Sequence, residues 1–219
     1  MAQHTGPTAA IAGITPGVQA QGIWTGHRQL FVRFAGEAET AVLYTPEMLA
    51  KQVERAAANT ALHSIALSGR DPLSSTDLIA AAFTGSKPSL PVMLDCDGQR
   101  PDAVAAIMGV LALLQVTFEF GDAPALAERA LGSIGHAVAA KREHALVLAP
   151  RDATSDGQVL RMVETAHAVS PGMMIVLHPA PAAERAPLDR RYATLIDQAM
   201  AIHRDTVLVF RIPGPVGVR

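Results

Sequence analysis

At 219 residues, 49% of them apolar and 17% charged, the chain is long enough for one domain with a sizeable core. Its 18 Lys and Arg against 20 Asp and Glu leave a net charge of −2 with no block of like charge, which argues against nucleic acid as a partner, since such proteins carry a basic face. A single cysteine, Cys96, excludes a disulfide framework and any set of thiolates for zinc or iron–sulfur.

The first residues lack the basic start of a signal peptide. The longest uncharged run, 103–118, falls short of the roughly 20 residues of a membrane span and is interrupted by Gly109. The expectation is a cytoplasmic protein with no transmembrane segment. Residues 1–17, with Pro7, Pro16 and several glycines, show no hydrophobic period and read as an irregular arm. Residues 18–219 read as a single domain.

In chain order, a loop leads to an apolar strand over 29–34, where Arg28 and Arg33 bracket Leu30, Phe31 and Val32. Thr45, Pro46 and Glu47 supply an N-cap, a proline at the first helical position and an acid in the first turn. That helix runs to about residue 59. Strands follow over 62–68, 90–94, 113–118, 145–148, 173–177 and 206–211. Between them the periodicity predicts helices over 76–83, 101–110, 124–131, 156–169 and 188–203. Continuous apolar strands alternating with amphipathic helices mean parallel βαβ units buried on both faces. Six to seven such units predict an α/β fold with mostly parallel strands, a partial (βα)6-type barrel, because a full eight-fold barrel takes about 250 residues. In such folds ligands sit at the carboxyl ends of the strands.

The stretch from Gln19 to Pro46 resembles the opening of radical S-adenosylmethionine (SAM) enzymes, most closely the 7-carboxy-7-deazaguanine synthase branch. The branch opens with Gln-Gly-Glu-Gly, a strand ending Phe-Val-Arg-Phe-Ala-Gly, and a Cys-x3-Cys-x2-Cys loop. Gln19, Gly22, Thr25, Gly26 and the run Phe31–Gly36 are kept here. Glu37, Ala41 and Tyr44 stand where the three cluster cysteines belong. The likeness continues in order through the later strand ends. Ser68-Gly69-Arg70-Asp71-Pro72 stands for Thr-Gly-Gly-Glu-Pro, which holds the SAM amino group. Asp95-Cys96-Asp97-Gly98 stands for the substrate-contacting Glu-Thr-Asn-Gly, and Leu177-His178-Pro179 for Leu-Gln-Pro. Apolar strand residues are kept while polar strand-end residues are replaced.

The resemblance therefore implies a degenerate radical-SAM-like barrel. Its cluster loop carries Glu37, Ala41 and Tyr44, and its vestigial pocket is formed by Gln19, Gly69, Arg70, Asp71, Asp95, Asp97, Gly98 and His178. Alanine has no ligand atom, and carboxylate with phenolate suits harder metals than an iron–sulfur cluster. The expectation is a pseudoenzyme without cofactor or resident metal. It would serve as a structural or accessory subunit of a larger protein assembly, including one on the cytoplasmic side of a respiratory or photosynthetic membrane complex. In that reading the irregular arm wraps the partner. Two alternatives stay open: a module that binds a purine, nucleoside or SAM-like ligand without chemistry, and an enzyme with replaced metal chemistry through Glu37, Asp71, Asp95, Asp97 and His178. The histidines are scattered, and spacing alone gives Ser68 and Ser170 no His or acid partner for a nucleophilic triad.

Overall fold

The computed structural model describes residues 6–86, 88–121, 124–179 and 185–210. Nine strands form one sheet: β1 (Ala9–Val18), β2 (Arg28–Phe34), β3 (Val42–Tyr44), β4 (Ser64–Gly69), β5 (Val92–Cys96), β6 (Leu113–Glu119), β7 (Glu143–Ala149), β8 (Met174–Leu177) and β9 (Thr206–Leu208). Six α-helices connect them: α1 (Pro46–Ala58), α2 (Thr76–Ser86), α3 (Pro101–Ile107), α4 (Pro124–Ala139), α5 (Asp156–Val169) and α6 (Arg185–Ile202). The sheet order is β3-β1-β2-β4-β5-β6-β7-β8-β9. From β2 to β9 every neighbour is parallel, whereas β1 pairs antiparallel with both β2 and β3. The sheet is open rather than closed into a barrel, with β3 and β9 at its edges.

The parallel part agrees with the alternation of strands and helices in the sequence. Each crossover steps one strand in the same direction, and right-handed crossovers of that kind put successive helices on one face. Leu30, Val32 and Phe34 of β2, Ile65 and Leu67 of β4, and Leu114, Val116 and Phe118 of β6 accordingly join one core with residues of all six helices. The intervening positions face the other way. There Ala66, Met93 and Leu113 form a small second core, capped by Ile23, Trp24 and Phe31.

The amino-terminal arm is corrected. Residues 9–18 are a ten-residue strand, with Ala9 and Ile11 buried and the register running from Ile11 opposite Phe34 to Val18 opposite Arg28. The strand escapes a period-2 reading because β3 covers only Ala9–Ile11, and past that point β1 has one partner. An edge segment of this kind tolerates Pro16 and glycines and needs no alternating apolar face. Since β1 joins β3 to the rest of the sheet, residues 9–17 belong to the domain.

Helix ends follow local chemistry. Thr45 caps α1, its Oγ1 accepting from the Met48 N–H at 3.3 Å, as the sequence predicts. Ser155 and Gln158 form a reciprocal capping box on α5. Helix α4 runs past its expected end at 131 to Ala139. Gly132 and Gly135 each cost about 1 kcal/mol against alanine, but full burial of Ile134 and Ala137 offsets this. The missing side chain of Gly132 also leaves room for Pro101, whose Cγ lies 3.5 Å from where a Cβ would sit. The helix stops at Lys141, which takes a left-handed φ of 54° while the Arg142 N–H donates back to the Ala137 carbonyl at 2.9 Å. Strand β9 ends at Leu208 rather than at 211, which lies outside the described residues.

Candidate functional site

An open cleft of about 1560 Å³ lies at the carboxyl ends of β2, β4, β5 and β6. Its rim is built from charges that close on one another. Arg33 donates to Glu39 at 3.1 Å, and Glu39 also accepts the Gly36 N–H at 3.0 Å, folding the segment after β2 onto itself. Arg100, just before α3, pairs with Asp71 after β4, and Arg151 after β7 pairs with Glu119 at the end of β6. All six of these side chains are at least 42% exposed, so the pairs order the rim without contributing much stability.

The floor is different. Asp95 on β5 and Thr117 on β6 face the sheet side away from the main core and line the cleft. Thr117 Oγ1 donates to Asp95 Oδ1 at 3.0 Å. Gln21, from the segment crossing that side of the sheet, places Nε2 3.4 Å from Asp95 Oδ2 and 3.5 Å from Thr117 Oγ1. Burial pushes the Asp95 carboxyl above the ordinary carboxylate range, against the hydrogen bonds of Thr117, Gln115 and Gln21, which favour the ionised form. Burial, helped by the charges of Asp95 and Asp97 and opposed by a hydrogen bond with the Gly98 backbone, pushes the neighbouring Cys96 thiol up to about 12. That thiol is protonated at neutral pH and unsuited as a nucleophile or metal ligand.

The sequence-derived pocket residues divide into two groups. Glu37, Gly69, Arg70, Asp71, Asp95 and Asp97 line the cleft; Gln19, Ala41, Tyr44, Gly98 and His178 do not. Gln19 is buried at the base of the crossing segment, its N–H on the His27 carbonyl at 3.0 Å and its carbonyl accepting from Gly26 at 2.9 Å. Gly98, at φ 68°, is held by packing: a Cβ there would lie 2.7 Å from Val116 Cγ1. Gly69, at φ 110°, serves a close approach to backbone rather than to ligand, since its Cβ would lie 2.3 Å from the Phe34 carbonyl oxygen. Asp97 accepts the Gln99 N–H at 3.0 Å, and His178 Nδ1 donates to the Val209 carbonyl at 2.9 Å.

Among the described residues no three His, Cys, Asp or Glu side chains gather in metal-ligand geometry. The set Glu37, Asp71, Asp95, Asp97 and His178 is distributed over separate contacts. The three positions that answer to the cluster cysteines diverge as well. Glu37 lies on the cleft, Ala41 is exposed in the following loop, and Tyr44 pairs with Ala9 in β3. An iron–sulfur cluster with bound SAM, the group the resemblance implies, does not fit these residues: none is a thiolate, and they do not converge.

Several residues escape a reading by motif. Gln115 and Thr117 alternate with core residues along β6, and that period of two within an apolar run was the available signal. Arg100 carries no such signal. Ser170 gains the partner that spacing could not supply, since His144 Nε2 lies 2.7 Å from its Oγ while Nδ1 lies 2.7 Å from the Arg142 carbonyl. This pair sits at the amino end of β7, away from the cleft, with Ser170 only 6% exposed, and it ties the base of the sheet.

Fold and site together define a mixed α/β protein whose open, mostly parallel sheet carries a polar cleft at its carboxyl edge. In comparisons with known families and with curated proteins, no family model and no curated protein matches the chain. Among the described residues no helix is long and apolar enough to cross a membrane.

Proposed function

We propose that the chain is a non-catalytic protein of radical-SAM-like, partial-barrel architecture that works as an accessory subunit of a larger protein assembly. The observation that carries this reading is the fate of the segment answering to the cluster loop. It holds no thiolate, its three ligand positions lie in different surroundings (the cleft, solvent and the main core), and it ends in the short edge strand β3, which turns Val42 and Leu43 to solvent at 57% and 62% exposure. An edge strand with exposed apolar side chains is a ready template for a partner's backbone and side chains. Assemblies on the cytoplasmic side of a membrane complex, respiratory or photosynthetic, fall within this reading.

The test is affinity purification of the tagged chain from its own host, membranes and cytosol kept apart. The expected result is a stoichiometric partner that is lost on Leu43→Glu and retained on Glu37→Ala. Recovery of the chain alone from both fractions would overturn the reading. Deleting residues 1–17 is no test of partner binding, because it removes most of β1 and with it the link between β3 and β2.

A second reading, a module that binds a small ligand without transforming it, draws on the cleft itself. Its volume, with Asp71 on the lining, supports it. Arg70, placed where a second glycine would let a SAM-like ligand approach backbone, opposes it. Equilibrium titration with SAM and with a deazapurine separates the two, and no binding at millimolar ligand removes the second.

A further inference from the structure

Residues 19–27, which join β1 to β2, cross the sheet on the side away from the main core and form a strap. The strap is tied to itself. The Gln19 N–H donates to the His27 carbonyl at 3.0 Å, the Gly26 N–H to the Gln19 carbonyl at 2.9 Å, and Thr25 Oγ1 to the Gly22 carbonyl at 2.6 Å. Ile23 and Trp24 hold it down on Ala66, Met93 and Leu113, and Trp24 meets the His63 ring edge-on at 4.8 Å. The rest of its underside is poorly bonded. Gly22, at φ 86°, lies on the fully buried Gln115 of β6, so that a Cβ there would fall 1.6 Å from Gln115 Oε1. Among the described residues, neither atom of that amide has a partner at hydrogen-bond geometry, and neither has Nε2 of Gln19, which is 5% exposed. Gln21 reaches Asp95 and Thr117 only at 3.4 and 3.5 Å.

A buried amide without partners costs free energy that hydration restores, and an apolar side chain of similar size in its place avoids the cost. Closure of the strap therefore works against Gln19 and Gln115 and is favoured chiefly by the packing of Ile23 and Trp24. We propose that residues 19–27 are a cover that lifts from the sheet as one body and turns the Gln115 amide to solvent beside Asp95 and Thr117. The internal hydrogen bonds keep the strap's shape as it lifts. The pairing of β1 with β2 stays intact, because it starts beyond the strap, at Val18 opposite Arg28. Closed, the strap keeps Gln115 off the cleft lining. Lifted, it extends the polar floor from Asp95 to its register partner Gln115 and uncovers Met93. A segment with only two apolar anchors opens locally at a fraction of the cost of global unfolding. On this account Gln115, a polar residue within an apolar strand, serves the open form rather than the closed one.

Met93 lies beneath the strap and Met173 in the main core, and both are buried, at 0% and 1% exposure. Peroxide oxidation of the full chain, followed by peptide mass, therefore reads lifting of the strap against opening of the core. In the unmodified chain Met93 oxidises faster than Met173. Gln115→Leu removes the unpaired amide and slows Met93 relative to Met173 by about tenfold. Gly22→Ala acts in the opposite direction, since its added methyl meets Gln115: Met93 oxidises faster, and the emission of Trp24, the single tryptophan, moves to the red. Met93 oxidising no faster than Met173 in the unmodified chain overturns the proposal, and this readout needs no variant to fold. Gln115→Leu that leaves the Met93 rate unchanged, or raises it, overturns the proposal as well.

Discussion

The two ends of the parallel strands hold their polar residues in opposite ways. At the amino ends, buried or half-buried groups meet as neutral hydrogen bonds: Gln29 to Ser64 at 2.8 Å, His144 to Ser170 at 2.7 Å, and His203 Nε2 to the Met173 carbonyl at 2.8 Å. At the carboxyl ends the partners are full charges on exposed side chains, around a floor where the half-buried Asp95 carboxyl accepts from Thr117. Hydrogen-bonded neutral pairs in low dielectric contribute rigidity, although Gln29 Oε1 is left without a partner, while exposed ion pairs contribute little and exchange partners easily. Stability is thus concentrated at the base of the sheet, and the carboxyl edge is left free to change and to bind.

The largest expected effect is at the base. His203 is fully buried and bonded both to Met173 and to His167 Nδ1, at 3.0 Å, so His203→Ala lowers unfolding free energy by about 3 kcal/mol through the lost bonds and the cavity. Chemical denaturation measures this, and a loss below about 1 kcal/mol would erase the contrast between the ends. Next comes the capping box beyond the carboxyl end of β7, where Ser155→Ala costs about 1 kcal/mol, read in the same way. At the other end of that strand, Lys141→Gly relieves a left-handed backbone and adds up to about 1 kcal/mol. The rim gives the smallest change: Arg33→Met shifts stability by about 0.5 kcal/mol or less.

Asp95 sharpens the comparison through pH. Its folded-state carboxyl titrates above the ordinary value of 3.8, so the folded protein holds that proton more tightly than the unfolded chain. The resulting stabilisation is complete below the unfolded value and is lost as pH rises through the raised folded value. Wild-type chain therefore loses stability relative to Asp95→Asn as pH rises from about 4 towards neutrality. Urea midpoints of both proteins across that range check it, and parallel curves would show that the floor does not bury a charge.

Much of the architecture was legible because parallel strands buried on both faces write themselves as apolar runs, as in Ile65–Leu67 and Leu146–Leu148. The Thr45 cap was legible for a local reason, since three adjacent residues define it. Strand β1 was not, because its outer edge is mostly unpaired and its inward positions are few. The end of α4 was missed because two glycines mask a helix held by tertiary packing. At the site, the acids Asp71, Asp95 and Asp97 could be placed at strand ends from sequence, but their partners could not. Arg100 reaches Asp71 across 29 residues and Thr117 reaches Asp95 across 22, distances that only the register of β4, β5 and β6 converts into contact.

The central proposal, that the segment from Glu37 to Tyr44 holds no iron–sulfur cluster, is tested most directly by anaerobic reconstitution of the purified chain with iron and sulfide in the presence of SAM. The account predicts no charge-transfer absorbance, no stoichiometric iron and no 5′-deoxyadenosine. Iron near about four per chain with reductive cleavage of SAM would contradict it.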